Sequence, residues 1–224
     1  MMTGTFAAPV KVAHIIYRFD FGGLENGLAN LVNRMPAERY RHSIICLAGF
    51  GEEFVKRVDR EQVQILSIDK RPGKDLPSYG RLWRVLRRIS PDIVHTRNIG
   101  TIDLQWIALA AGVKHRVHGE HGWTSNDRRG QHKGNLRIRR ACRPVIQRYV
   151  AMSRDIGDWL SRDVGVPSVS VRQLYNGVDV DKFTPYGPVP VDNPWGSTDE
   201  LVIGTIGRLD PVKNQASMLR TLYL

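Results

Sequence analysis

Short apolar segments alternate with amphipathic ones along most of this chain, and that alternation narrows the fold more than any single motif does. Apolar runs at residues 10–19, 42–48, 63–68, 92–97, 115–120, 148–153 and 170–174 read as strands. Between them, apolar residues recur three and four positions apart. Leu24, Leu28, Leu31, Val32 and Met35 form one such set; Leu82, Val85, Leu86 and Ile89 form another; Ile156, Trp159, Leu160 and Val164 form a third. Each set makes one apolar helix face. Strands that are apolar almost throughout need cover on both sides, which a parallel sheet flanked by helices supplies. The expectation is an α/β protein with a doubly wound parallel sheet.

The pattern stops near Thr184. Residues 185–196 are rich in Pro and Gly and show no periodicity, so 184–200 reads as a linker between domains. The expected division is an N-terminal domain at 1–183, the linker, and the first strand and helix of a second domain at 201–224. One strand and one helix cannot bury a core alone, so the second domain is expected to be incomplete.

A formal net charge of +11 over 224 residues points to an anionic partner without choosing among nucleotide, acidic lipid and nucleic acid. Cys46 and Cys142 are too few and too far apart for a disulfide framework or a zinc site. The N-terminus has no basic region followed by an apolar one, and no run approaches the roughly 20 residues that span a bilayer. A cytoplasmic protein is expected.

In an open parallel sheet, ligands gather at the carboxyl ends of the strands. The first such loop carries Gly22, Gly23 and Glu25. It is neither a dinucleotide fingerprint nor a P-loop. It reads either as a place where backbone can approach a ligand closely, or as a tight turn with Glu25 favouring the helix dipole. Arg97 and Asn98 close the fourth strand. His121, after the fifth, reads either as a hydrogen-bonding group facing the cleft or as a histidine satisfied by loop backbone.

A metal at His115, His118 and His121 is disfavoured. His118 alternates to the other face, and His115 and His121 stand about 20 Å apart at ~3.3 Å per residue. Asp179-Val180-Asp181 matches a D-x-D pattern, but no second acidic cluster supports an ion, and no metal is expected.

Residues 128–143 hold Arg128, Arg129, His132, Lys133, Arg137, Arg139, Arg140 and Arg143 among Leu136 and Ile138. They read as an anionic-membrane contact or as a solvated helix face that Pro144 keeps short. The segment lacks aromatics for base stacking, so nucleic acid is not an expected partner.

Near the C-terminus, Gly207-Arg208-Leu209 through Lys213-Asn214 sets two cations beside a helix N-terminus, an arrangement suited to a diphosphate. Taken in order, Gly22-Gly23-Leu24-Glu25, Glu120-His121-Gly122, Asn176-Gly177-Val178-Asp179 with Phe183, and Gly207-Arg208-Leu209 with Lys213-Asn214 resemble glycosyltransferase family 4. These are the group 1 retaining transferases of the GT-B fold, and the nearest likeness is to those of exopolysaccharide and exosortase-associated gene clusters.

The resemblance implies two Rossmann-like domains with the site between them. It implies a nucleoside-diphosphate sugar as donor, a glycan or lipid-linked acceptor, and no cofactor beyond the co-substrate. By motif, Gly22, Gly23, Arg208 and Lys213 would bind the donor and His121 would be catalytic. Glu25, Arg97 and Asn98 would face the acceptor. The resemblance also implies an E-x7-E acidic motif in the C-terminal domain that contacts the donor; the chain reaches Leu224 before that region, and these 224 residues alone are expected to transfer little sugar. The competing reading is a non-catalytic basic α/β module that binds an anionic membrane or glycan.

Overall fold

The structure, a computed structural model, describes residues 8–58, 61, 63–123, 127, 129–181, 183–184, 203–207, 209 and 213–222. It divides into two compact units: Met1–Trp123 with Arg129–Asn176, and Thr124–Arg128 with Gly177–Leu224.

The first unit is built on seven strands: β1 Val10–Ile16, β2 Tyr40–Cys46, β3 Val63–Ser67, β4 Ile93–Arg97, β5 His115–Glu120, β6 Arg148–Ala151 and β7 Val171–Gln173. They lie in the order β3-β2-β1-β4-β5-β6-β7, and every pairing is parallel. The order reverses between β1 and β4, which opens a crevice at their carboxyl ends. The α/β, doubly wound arrangement is the one expected.

Helices α1 Gly23–Arg34 and α2 Glu52–Val55 cover one face over β1–β3. There Leu28, Ala29 and Val32 meet Ile16, Ile44, Cys46, Phe54 and Val63. On the other face, α3 Leu76–Ile89 and α4 Leu104–Ala110 bring Leu82, Leu86, Leu104 and Ala108 against Ala13, Ile15, Ile45 and Val94. Helices α5 Lys133–Cys142 and α6 Arg154–Trp159 extend that layer, burying Cys142, Ile156 and Trp159 around Tyr149 and Ala151. Two sided burial explains the continuous apolar strands.

Strand ends shift where pairing or capping intervenes. β1 stops at Ile16 and not at residue 19, because beyond it only an isolated Phe19–Phe50 bridge remains. β6 stops at Ala151 because the Ser153 hydroxyl caps α6, accepting from the Ile156 N–H at 3.2 Å.

In the second unit, helix α7 Gln215–Thr221 forms as its pattern suggests. Residues 203–206 of the expected strand have no strand pairing. A lone parallel strand has nothing to hydrogen-bond with until neighbours are present. Leu201, Val202, Arg208 and the linker at 185–200 lie outside the described residues. Among the described residues, no helix is long and apolar enough to cross a membrane.

Candidate active site at the crevice of the sheet

Three of the sequence clusters meet at the carboxyl edge of the sheet. Gly22 and Gly23 follow β1 and open α1, Arg97 and Asn98 close β4, and His121 follows β5. Gly22 has extended backbone that any residue can adopt, yet a Cβ there would fall on the Glu25 carboxylate. A Cβ on Gly23 would meet nothing within 4 Å. The bare backbone at the start of α1 therefore borders open space, next to N–H groups that have no partner within the helix.

Register places the polar side chains. His14 pairs with His95, Val12 with His42, and Arg97 with Gly119, so His14, His42, His95 and Arg97 share the face that α1 covers over β1–β3. His14 Nε2 and His42 Nδ1 lie 3.0 Å apart, and the His14 and His95 rings are 5.5 Å apart. Among the described residues, His14 Nδ1, His42 Nε2, His95 Nε2, Arg97 Nε and both ring nitrogens of His121 are buried without a hydrogen-bond partner in the protein. Buried polar atoms are ordinarily paired, so so many together mark a place for water or ligand.

Burial, and then the charge of Arg97, pushes the pKa of His121 down to about 4, and both push His95 well below the ordinary histidine value. Burial also brings the Arg97 pKa down to about 10, partly offset by the Glu25 carboxylate. Arg97 is only 6% exposed and interacts electrostatically with both Glu25 and His121. These groups form one electrostatic cluster: a neutral imidazole, a buried guanidinium and a carboxylate at the first turn of α1.

His121 is held by backbone. Its N–H donates to Asn98 Oδ1 at 2.8 Å, and the Asn98 N–H donates to the Gly119 carbonyl, also at 2.8 Å. A Cβ on Gly119 would stand 2.9 Å from His121 Nε2 and 3.1 Å from His95 Nε2. Only a bare residue lets both rings occupy that spot. A glycine inside a strand signals such close approach, which makes Gly119 the legible clue to His95, a residue the motif reading passed over.

The neighbouring residues of the Glu-His-Gly motif serve the fold. Glu120 is 2% exposed and turns to the opposite face, where Arg139 grips it with contacts of 2.6 and 3.2 Å and His118 Nε2 lies 3.3 Å away. Burial alone would raise its pKa, but the hydrogen bonds and charges of His118 and Arg139 bring it down to about 2. Arg139 also lies over the Trp159 ring at 4.9 Å. One cation of the 128–143 segment is thus internal. Arg140 and Arg143 bind the carbonyls of Asp163 and Gly165, while Lys133, Arg137 and Ile138 remain exposed. Arg128 lies outside the described residues.

Within the second unit, Asp179 accepts from the Asp181 N–H at 3.2 Å through its side chain and from the Phe183 N–H through its carbonyl, a turn built on the D-x-D sequence. Lys213 is exposed and its stem passes 3.9 Å from where a Gly207 Cβ would lie. Arg208, the other cation expected at the diphosphate, lies outside the described residues. Among the described residues, no group of three His, Cys, Asp or Glu is arranged to hold a metal ion.

Comparison with known proteins agrees with this fold. The chain is 24% identical over 216 residues to an Escherichia coli UDP-Gal:alpha-D-GlcNAc-diphosphoundecaprenol alpha-1,3-galactosyltransferase, covering 92% of this chain and 55% of that protein. It resembles the crystal structure of Anabaena HepE in complex with UDP and glucose, with a TM-score of 0.73 at 18% identity, over 95% of this chain and 57% of HepE. A glycosyltransferase from Rickettsia africae matches 82% of this chain and 47% of its own, with a TM-score of 0.58 at 16% identity. The chain therefore spans about half the length of these proteins, and the fold shared is the GT-B type. Residues 21–182, which hold the crevice and most of the sheet, match the profile of Glycosyltransferase Family 4, and the chain belongs to that family.

Proposed function

We propose that this chain is the acceptor-side part of a retaining glycosyltransferase that moves a sugar from a uridine diphosphate sugar to a lipid-linked or glycan acceptor in polysaccharide synthesis. The observation that carries the reading is the crevice itself, where His121 and Arg97 present unpartnered buried nitrogens beside Glu25. The E. coli relative is named for UDP-galactose and a diphosphoundecaprenol-linked sugar, and HepE was crystallised with UDP and glucose, which supports this donor and acceptor chemistry.

In this reading the backbone at Gly22 and Gly23 lies against the donor diphosphate. Neutral His121 offers a ring N–H and a lone pair to the donor sugar. Glu25 and Arg97 orient the acceptor hydroxyl. As the bond from the anomeric carbon to the diphosphate oxygen breaks, positive charge grows on the sugar ring and negative charge on the leaving group. Arg208 and Lys213 neutralise the latter. The acceptor oxygen bonds the anomeric carbon from the face the diphosphate leaves, and a leaving phosphate oxygen takes its proton. Exposed Lys133, Arg137 and Ile138 on α5 would rest on the anionic inner face of the cell membrane, where a lipid-linked acceptor is presented.

The test is a donor panel of UDP-galactose, UDP-glucose and UDP-N-acetylglucosamine with the full-length gene product and synthetic diphospholipid-linked sugars. Product configuration is read by NMR. Transfer with retained anomeric configuration is expected, with activity falling at least tenfold in His121→Gln. Inversion, or donor hydrolysis with no acceptor modified, would overturn the reading.

A further inference from the structure

The family resemblance implies that Asn98, at the end of β4, faces the acceptor. The structure gives it different work. Its backbone sits at φ 56° and ψ 174°, a region that residues bearing a Cβ rarely enter. Such a conformation survives only where surrounding contacts over-determine it, and they do. The Asn98 N–H is bound to Gly119, and its carbonyl accepts from the Thr101 N–H at 3.2 Å. The Thr101 hydroxyl closes the same turn, accepting from the Arg97 N–H at 2.8 Å and donating to the Arg97 carbonyl at 2.7 Å.

The side-chain amide oxygen of Asn98 is spent on the His121 N–H at 2.8 Å. In a regular parallel ladder the Asn98 carbonyl would accept from the His121 N–H, but at this positive φ the carbonyl is turned to the Thr101 N–H and the side-chain oxygen takes its place. The side chain therefore continues the β4–β5 ladder one step past its last regular rung, Arg97 with Gly119. That extra rung fixes where His121 leaves the sheet. Gly119 then lets the ring fold back over the strand.

We propose that Asn98 is a positioning residue that sets His121 in the crevice through this side-chain rung and does not contact the acceptor. The proposal deepens the transferase reading and depends on it for its kinetic consequence only. The placement of the His121 ring is a property of the protein itself and can be read without substrate.

Two variants of the full-length protein separate the roles. Asn98→Gly removes the oxygen and suits the backbone conformation, so thermal stability is held or raised. Asn98→Asp keeps an oxygen acceptor and tolerates positive φ. The ring signals of His121, assigned by their loss in His121→Gln, are followed by NMR. They are expected to move in Asn98→Gly and to return in Asn98→Asp. In transfer assays, kcat is expected to fall about 10- to 100-fold in Asn98→Gly with acceptor KM little changed, and Asn98→Asp to restore most of it. Unmoved ring signals in Asn98→Gly would overturn the proposal, and so would a raised acceptor KM with kcat intact. If the parent protein transfers no sugar, the transferase reading fails and the ring signals alone decide the proposal.

Discussion

Replacing Arg139 by Met tests whether the Glu120 carboxylate is held as the geometry requires. The change keeps an apolar stem over Trp159 and removes the charge that grips a carboxylate only 2% exposed. The drop of the Glu120 pKa from 4.5 to about 2 corresponds to about 3 kcal/mol at about 1.36 kcal/mol per pH unit. The drop is shared between His118, whose hydrogen bond and charge weigh more in it, and Arg139, whose contact at 2.6 Å is the shorter. Removing one member of a buried pair ordinarily costs about 3–5 kcal/mol, because the other charge is left stranded. A loss of about 3 kcal/mol at pH 7 is expected from urea unfolding.

The pH dependence supplies the sign. In the parent, Glu120 titrates lower folded than unfolded, so its contribution is complete above about pH 4.5 and fades as pH falls toward 2. In Arg139→Met, burial without the cation favours the protonated acid, and the deficit should shrink as pH is lowered from 7 toward 4. Adding Glu120→Gln should recover most of the loss. A deficit below about 1 kcal/mol at pH 7, or one that does not change with pH, would refute the reasoning.

Gly119→Ala forces the His121 and His95 rings apart by a few tenths of an ångström, and transfer should fall about tenfold or more while urea stability changes by under about 1 kcal/mol. Gly23→Ala meets no neighbour within 4 Å and should hold or raise stability by up to about 1 kcal/mol; a raised donor KM would mark close diphosphate approach. Burial, with Arg97, lowers the pKa of His14, His95 and His121, and burial alone lowers that of His42. The unfolded chain therefore binds more protons below about pH 6.5. Stability should fall on acidification, by roughly 2 kcal/mol between pH 7 and 5 from His121 alone, and urea unfolding across that range measures it.

Apolar runs revealed the sheet because double burial forces its strands to be hydrophobic, and β5 at His115–Glu120 was legible to the residue. The start of β2 was not: Tyr40 and Arg41 pair with Val10 and Lys11 although their side chains are polar or amphipathic, and backbone pairing leaves no trace in hydropathy. Gly22, Arg97 and His121 could be located at the crevice because the ends of parallel strands gather there. The basic segment misled in part, since nothing local distinguishes Arg139, paired inside with Glu120, from exposed Arg137. Asn98 could be located but not given its role, because that role is a contact across 23 residues.

The strand order also bears on how the protein is made. β1 hydrogen-bonds on one side to β2 and on the other to β4, where the Lys11 N–H reaches Asp92 across 81 residues of chain. As the polypeptide leaves the ribosome, β1, β2 and β3 can associate with α1 and α2 well before β4 is synthesised. Until then β1 is an open edge on the side that β4 comes to occupy. The crevice comes into being when β4 docks and seals that edge, so its groups are assembled along the seam between an early-folding and a late-folding half.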